Sequence, residues 1–345
     1  MKIAVSIALL VAILWYADAI DDVAALFRGA AWDLLAAAFV VMTLDRLLMS
    51  YKWILLLKAR GLELSLYRGF TIYCAAMMWG MFLPATLGAD ALRGYLTSRA
   101  GLDGYEVAAS IIVERMIGFV AALVFGLIGM SIMSAAGAVD ERFDPVWWLG
   151  GAAIACATCA VLVSFSERVF HGAWRLLPRR AKDSRIAARF RDFHEVYRGY
   201  GAERAALATF FLLTLLEQTL AIVATWLLAL ALGVEVAPWF LAAAVPLSML
   251  IARLPIAFDG IGVYEGIFVL LMGLGGIAPV EALSVALAGR VVQILAWAPW
   301  WLLYSVGAEG LSAGRLRHAV AGRYAQWSVG RSADSGGREG PPRTL

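Results

Sequence analysis

Ten charged residues stand within or beside long apolar runs: Asp45, Arg46, Asp90, Arg93, Glu114, Arg115, Glu217, Asp259, Glu265 and Arg290. If those runs cross a bilayer, each charge costs roughly 2.5–3.5 kcal/mol at mid-helix. They must therefore pair with one another or face a polar cavity. Paired charges of this kind can lock helices together, or they can hold a polar headgroup. Arginine favours the second use, because guanidinium is a planar, permanently charged donor suited to phosphate. The candidate binding set is Asp90, Arg93, Glu114, Arg115, Asp259, Glu265 and Arg290. No other pattern competes with it. Cys156 and Cys159 form a CxxC without a second pair or a nearby histidine, and Cys74 stands alone in an apolar stretch. His171, His194 and His318 lie in polar segments, with neither a Ser-His-Asp arrangement nor an HExxH. No catalytic residue, metal site, cofactor or nucleic-acid partner is expected.

Prolines and glycines accompany these charges in two places. The first run is Leu83-Pro84-Ala85-Thr86-Leu87-Gly88-Ala89-Asp90-Ala91-Leu92-Arg93-Gly94. The second is Leu254-Pro255-Ile256-Ala257-Phe258-Asp259-Gly260-Ile261-Gly262-Val263-Tyr264-Glu265-Gly266. With one inserted residue, Pro84 aligns with Pro255, Gly88 with Gly260, Arg93 with Glu265 and Gly94 with Gly266. Arg115 and Arg290 follow, each nine residues after a glutamate, Glu106 and Glu281; upstream, Asp45 corresponds to Glu217. Proline removes a donor and breaks a helix, and glycine permits the turn. The freed backbone groups cannot face lipid, so they must line an enclosed or watery space. Pro84, Gly88, Gly94, Pro255, Gly260, Gly262 and Gly266 are thus expected hinge positions, and Arg93 and Glu265 are expected partners across the repeat.

The elements that carry these residues are membrane helices. The 345-residue chain is 62% hydrophobic, only 16% charged and has a mean hydropathy of +0.78, well above the half-apolar make-up of soluble domains. Full spans are predicted over Ile3–Ala19, Ala31–Leu56, Val107–Ser134, Val146–Phe165, Ala205–Leu232 and Val280–Gly307. Leu66–Ala100 and Pro238–Ile277 are interrupted. Lys52, Lys58, Arg60 and Arg68 read as cytoplasmic, as do the ten Lys/Arg between Glu167 and Arg204 and the six Arg after Glu309. The acidic loops near Asp21 and Asp140 read as external. Each interrupted region then begins and ends on one face, the first inside and the second outside. Two re-entrant hairpins of opposite sense follow, although two ordinary crossings in each region would preserve the same sidedness.

The expected architecture is an all-α, polytopic membrane protein of about six full spans plus two broken hairpins, arranged as inverted repeats. Repeat one covers about 1–135 and repeat two about 146–308. A cytoplasmic amphipathic insertion lies at 167–204, and a basic, disordered tail at 309–345. In the insertion Ile186, Phe190, Phe193, Tyr197 and Tyr200 recur at helical spacing among arginines, which suits a helix on an anionic inner leaflet, with a packed cytoplasmic helix as the alternative. Inverted repeats with paired Gly/Pro breaks are a recurrent transporter plan, with the binding site at the breaks.

The strings FLPATLGADALRGYLTSRAG (82–101), EVAASIIVERMIGF (106–119), LPIAFDGIGVYEG (254–266) and EALSVALAGRVVQIL (281–295) resemble the membrane domain of lysylphosphatidylglycerol synthases, the multiple peptide resistance factor family. The resemblance runs from about Asp45 to Tyr304. It is carried by Gly88, Asp90 and Arg93, then Glu114-Arg115, then Gly260, Gly262, Glu265 and Gly266; Ala89 stands where the family often has a second glycine. It implies a flippase-like domain for aminoacylated phospholipid, and the function expected of this chain is translocation of a phospholipid or a polyprenyl-linked saccharide across the inner membrane; the loop charges put both termini in the cytoplasm. The short polar tail argues against lysyl transfer by this chain alone. The alternative is a non-catalytic membrane partner of a separate glycosyl- or aminoacyl-transferase.

Overall fold

Twelve α-helices order the described part of the chain. The computed structural model describes residues 20–80, 88–135, 144–176, 178, 184–252 and 260–306, and among them every regular element is helical. The helices are α1 (Ile20–Arg28), α2 (Trp32–Ala59), α3 (Leu66–Gly80), α4 (Gly88–Arg99), α5 (Gly104–Ala135), α6 (Asp144–Ser164), α7 (Glu167–Leu176), α8 (Arg185–Gly199), α9 (Arg204–Ala231), α10 (Pro238–Ala252), α11 (Val263–Leu274) and α12 (Pro279–Val306). One compact unit ends at Trp301 and holds everything described below; the final residues of α12 begin a second unit. The span expected at Ile3–Ala19, the residues Pro84, Pro255 and Asp259, and the tail at 309–345 lie outside the described residues.

Four helices, α2, α5, α9 and α12, are long and apolar enough to cross a bilayer. α6 is a shorter apolar helix. The limbs of the interrupted regions are shorter again. α3 and α10 have 15 residues each, and α4 and α11 have 12. At a rise of 1.5 Å per residue even 15 residues reach only about 22 Å, short of the roughly 30 Å hydrocarbon core. The limbs fold back at their ends. Gly80, last in α3, packs directly on Ala89, and Ala252, last in α10, touches Gly260.

Among the described residues, the bounds of four helices repeat. α2 and α9 have 28 residues each, and α9 begins 172 positions after α2. α10 begins 172 positions after α3. α11 ends, and α12 begins, 175 positions after α4 ends and α5 begins. The equivalent helices α2 and α9 pack against each other in opposite directions. The Ala31 N–H, where α2 starts, donates to the Ala231 carbonyl, where α9 ends, at 2.8 Å. Further along, Lys52 of α2 meets Thr214 and Glu217 of α9. Equivalent helices that run antiparallel require an approximate two-fold axis perpendicular to both, so one half is inverted relative to the other.

The hairpins exchange partners about that axis. The limb α3 of the first half packs on α12 of the second through Phe70, Cys74, Met78 and Trp297, with Phe70 on Trp300 at 4.9 Å between ring centres. The limb α10 of the second half packs on α5 of the first. Gly129 makes this possible, because a Cβ there would stand 2.4 Å from the backbone nitrogen of Ala243.

The three-residue change in offset falls at the hairpin tips and corrects the expected alignment. Seven residues separate α3 from α4, but ten separate α10 from α11. Beyond the tips, Asp90 rather than Arg93 is therefore the counterpart of Glu265. The longer second tip is closed by two glycines with positive φ, Gly260 (68°) and Gly262 (83°), a region costly for other residues.

At its C-terminal end the insertion takes the packed alternative. Tyr197 of α8 and Tyr200 in the turn that follows it are buried against Leu56, Val113 and Phe210, and Tyr197 stacks on Phe165 at 4.7 Å. Its C-terminal end is anchored to the protein rather than resting on a leaflet, while Phe190 remains exposed.

Candidate functional site

α2 and α9 cross at their midpoints. Asp45 is the fourteenth of 28 residues in α2, and Glu217 is the fourteenth of 28 in α9. Both face one cavity of about 500 Å³, within the 300–1,000 Å³ usual for small-ligand sites. α3, α4, α5, α10, α11 and α12 complete its wall, so both hairpins and all four long helices contribute.

Five cations on the wall each hold a carboxylate. Arg46 pairs with Asp45 and Lys52 with Glu217. Arg93 pairs with Glu114 at 2.7 Å and lies 3.6 Å from Asp90. Arg115 pairs with Asp90, and Arg290 with Glu265 at 2.7 Å. The last two pairs span 25 residues each and are repeat equivalents, joining a hairpin limb to the long helix that follows it. Breaking a buried pair by removing one partner costs about 3–5 kcal/mol, because the survivor keeps an uncompensated charge.

Arg93 is the most enclosed of the cations, at 1% exposure. Its guanidinium carbon sits 4.7 Å from the Trp53 ring and 4.8 Å from the Tyr73 ring. Each aromatic face offers its negative quadrupole to the cation. The Trp53 indole N–H is in turn fixed by Ser110 Oγ at 3.0 Å. Arg93 Nε and Nη1 have no hydrogen-bond partner among the described residues, and neither has Asp45 Oδ1. Such buried, unsatisfied groups are costly unless something binds them.

Glu265 is equally buried, but stands behind the wall rather than on it. Its Oε2 accepts the N–H of Gly262, capping α11, and its Oε1 accepts from Arg290 Nε and Nη2. It thereby fixes the arginine that the cavity sees.

The expected cross-repeat pair of Arg93 with Glu265 does not form: each takes its partner from its own half, since the offset change at the tips puts Asp90 opposite Glu265. The remaining expected site residues behave as follows. Asp90, Arg93, Glu114, Arg115 and Arg290 come together on one wall. Gly88 and Gly94 lie on α4, Gly260 lies in the second tip, Gly262 caps α11 and Gly266 lies in its first turn.

The sequence reading counted Lys52 among the cytoplasmic charges near the end of the Ala31–Leu56 span and did not include it in the candidate site. α2 continues to Ala59, and Lys52 is 3% exposed on the cavity wall, with Thr214 Oγ1 at 3.0 Å and the Phe210 ring centre at 4.8 Å. A lysine followed directly by Trp53-Ile54-Leu55-Leu56-Leu57 was the available signal. Trp53 and Tyr73 carried none, since aromatic residues in apolar helices are ordinarily packing.

A search of curated proteins returns no match. A profile of the lysylphosphatidylglycerol synthase TM region, in contrast, matches residues 3–300. That match covers most of the chain, both hairpins and every side chain of the cavity, so the chain belongs to the lysylphosphatidylglycerol synthase transmembrane-region family.

Proposed function

We propose that this chain moves an anionic, phosphate-bearing lipid between the leaflets of the cytoplasmic membrane, with both of its termini on the cytoplasmic side. The observation that carries this reading is the ion-paired cavity at the midpoint of two inverted halves. A headgroup cannot cross hydrocarbon unaided, because desolvating its charge costs many kcal/mol. A wall of paired charges replaces the lost water: each cation can exchange a carboxylate oxygen for a phosphate oxygen at little net change. Arg93, with two unmet donors held rigidly between Trp53 and Tyr73, is the first contact for the phosphate. The acyl chains remain in the bilayer, and the short limbs shift as access alternates between the two faces.

The test is reconstitution into liposomes with a panel of fluorescent phospholipids and polyprenyl phosphates. Exchange of a phosphate-bearing lipid by the wild type, lowered at least about tenfold by Arg93→Ala, the loss of one charge-assisted contact, is the expected result. An absence of exchange across the panel, together with a co-expressed transferase that requires this chain for its own activity, would replace transport with a partner role.

A further inference from the structure

We propose that the seam between α3 and α12 is a lipid groove. A membrane phospholipid lies in it, and its glycerol-ester carbonyls accept the indole N–H groups of Trp297 and Trp301. The inference gives the transport reading a lateral route and rests on that reading for its purpose.

The run Trp297-Ala298-Pro299-Trp300-Trp301 stands in the C-terminal half of α12. Trp297 and Trp301 are four residues apart, on one face and about 6 Å apart along the axis. That face meets α3. Trp297 packs with Phe70, Cys74 and Met78, the Trp300 ring lies 4.9 Å from Phe70, and Trp301 meets Trp79 edge-on at 5.7 Å.

Both indole nitrogens are buried, and neither has a hydrogen-bond partner among the described residues. Trp297 as a whole is 6% exposed. An indole nitrogen is a donor only, and a buried tryptophan ordinarily finds an acceptor for it. Two orphaned donors on adjacent turns of one face call for acceptors from outside the chain. Pro299 stands between them. It has no N–H, so the Leu295 carbonyl lacks its helical donor and α12 is loosened at the level of the groove.

The seam also joins the cavity to the bilayer. Met77 and Trp297 at its inner end line the cavity, and the Trp297 ring is 5.7 Å from the guanidinium carbon of Arg46. Trp79 at its outer end is 39% exposed. An ester carbonyl is a neutral acceptor flanked by hydrocarbon, and it matches a side chain with an apolar body and one polar tip. A charged phosphate is better served by a guanidinium. The ester region therefore rests on the tryptophans while the headgroup reaches toward Arg46. With the C-terminus cytoplasmic, the groove opens to the inner leaflet.

The approximate two-fold axis supplies an internal control, the equivalent seam between α10 and α5. α12 begins 175 positions after α5, so Trp297 and Trp301 correspond to Ala122 and Gly126. A Cβ on Gly126 would stand 2.9 Å from Leu247 Cδ2, and one on Gly129 would stand 2.4 Å from the backbone nitrogen of Ala243. Backbones that close leave no room for an acyl chain, and neither Ala122 nor Gly126 offers a side-chain donor. One seam is sealed by small residues; the other is lined by bulky rings with unmet donors.

The experiment places the purified full chain in liposomes with a trace of phosphatidylglycerol carrying a diazirine near the ester end of one acyl chain. Illumination and mass spectrometry map the adducts. They are expected on α3 and α12 around Trp79 and Trp297–Trp301, several-fold above those on α5 and α10. The Trp297→Phe/Trp301→Phe double variant keeps two rings and removes both donors. It is expected to unfold no earlier than the wild type, and to lower these adducts at least about fivefold, the worth of one net hydrogen bond. An ether-linked analogue of the probe, which has no ester carbonyl, is expected to label the wild type as weakly as the ester probe labels the variant. This comparison and the wild-type map stand even if the variant does not fold. Adducts spread evenly over the lipid-facing helices, or gathered at α5 and α10, overturn the groove. Equal labelling by ester and ether probes, or by wild type and a folded variant, overturns donation by the indoles. Dithionite quenching of fluorescent phosphatidylglycerol in the same liposomes reads transport separately. Adducts in the seam without exchange sink the transport reading and keep the groove; exchange without adducts in the seam does the reverse.

Discussion

Arg93 concentrates the physical problem this protein solves. A guanidinium buried to 1% exposure is held by one carboxylate at 2.7 Å and two aromatic faces, with two donors unmet. Removing it strands Glu114. Arg93→Ala is expected to destabilise the protein by about 3–5 kcal/mol, and the Arg93→Ala/Glu114→Gln double variant is expected to recover most of that loss. Thermal unfolding in detergent would show this, and a double variant no more stable than the single one would contradict the pairing. Arg93→Lys retains charge but not the plane that two rings stack on, so it should fold better than Arg93→Ala and still transport poorly. Outside the membrane, His194 stacks on Phe170 at 3.6 Å between ring centres. Burial holds its imidazole below the ordinary value of 6.5, with the Arg198 charge adding to the effect. The native contact thus favours neutral histidine: its contribution is complete above that ordinary value and is lost as pH falls through the depressed one. Titration of His194 by NMR should find the depressed value, and Phe170→Ala should move it back upward.

Elements, rather than single side chains, decide whether the cavity exists. α2 and α9 must run antiparallel for Asp45 and Glu217 to share a depth. The Ala31–Ala231 hydrogen bond gives a direct check. Cysteines at those two positions should cross-link readily, since disulfides need Cα atoms within about 7 Å. A parallel arrangement would leave them a helix length apart. The hairpin limb α10 depends likewise on the missing side chain at Gly129. Gly129→Val is expected to push α10 from α5 and cost about 1–3 kcal/mol, the usual penalty of overpacking. A variant as stable as the wild type would show that the two helices are not in close contact.

Within the compact unit ending at Trp301, the described helices form two halves of like build and opposite sense, each lending a hairpin limb to the other's last helix. Such an exchange ties the halves together through the α3–α12 and α10–α5 contacts. It also dictates sidedness. Asp103, in the loop after α4, and Glu235, in the loop between α9 and α10, are both exposed. Asp103→Cys should react with an impermeant thiol reagent from the cytoplasmic side only, and Glu235→Cys from the opposite side only. Labelling of both from one face would break the inversion.

The membrane class, the long helices and the approximate repeat were legible in the sequence, for a physical reason. Lipid admits only apolar helices with satisfied backbones, so their lengths and breaks are written in hydropathy, proline and glycine. Asp45 and Glu217 could be matched for the same reason, since charges are rare enough inside apolar runs to be noticed. Pairing was not legible. Arg93 and Glu265 carry opposite charges at similar places, yet three extra residues in the second tip move the register by almost one helical turn and bring Asp90 into Glu265's place. Lys52 looked like a cytoplasmic sidedness charge at the end of its span, because composition cannot tell a lysine that reaches the headgroups from one turned inward. Only the packing of α9 against α2 put Glu217 beside it. Trp53 and Tyr73 gave no sign at all, since a ring that cages a cation and a ring that fills a core have the same one-letter codes. Which residues must be polar follows from chain chemistry alone. Which polar residues meet depends on the two-fold crossing, and that arises only when both halves are folded against each other.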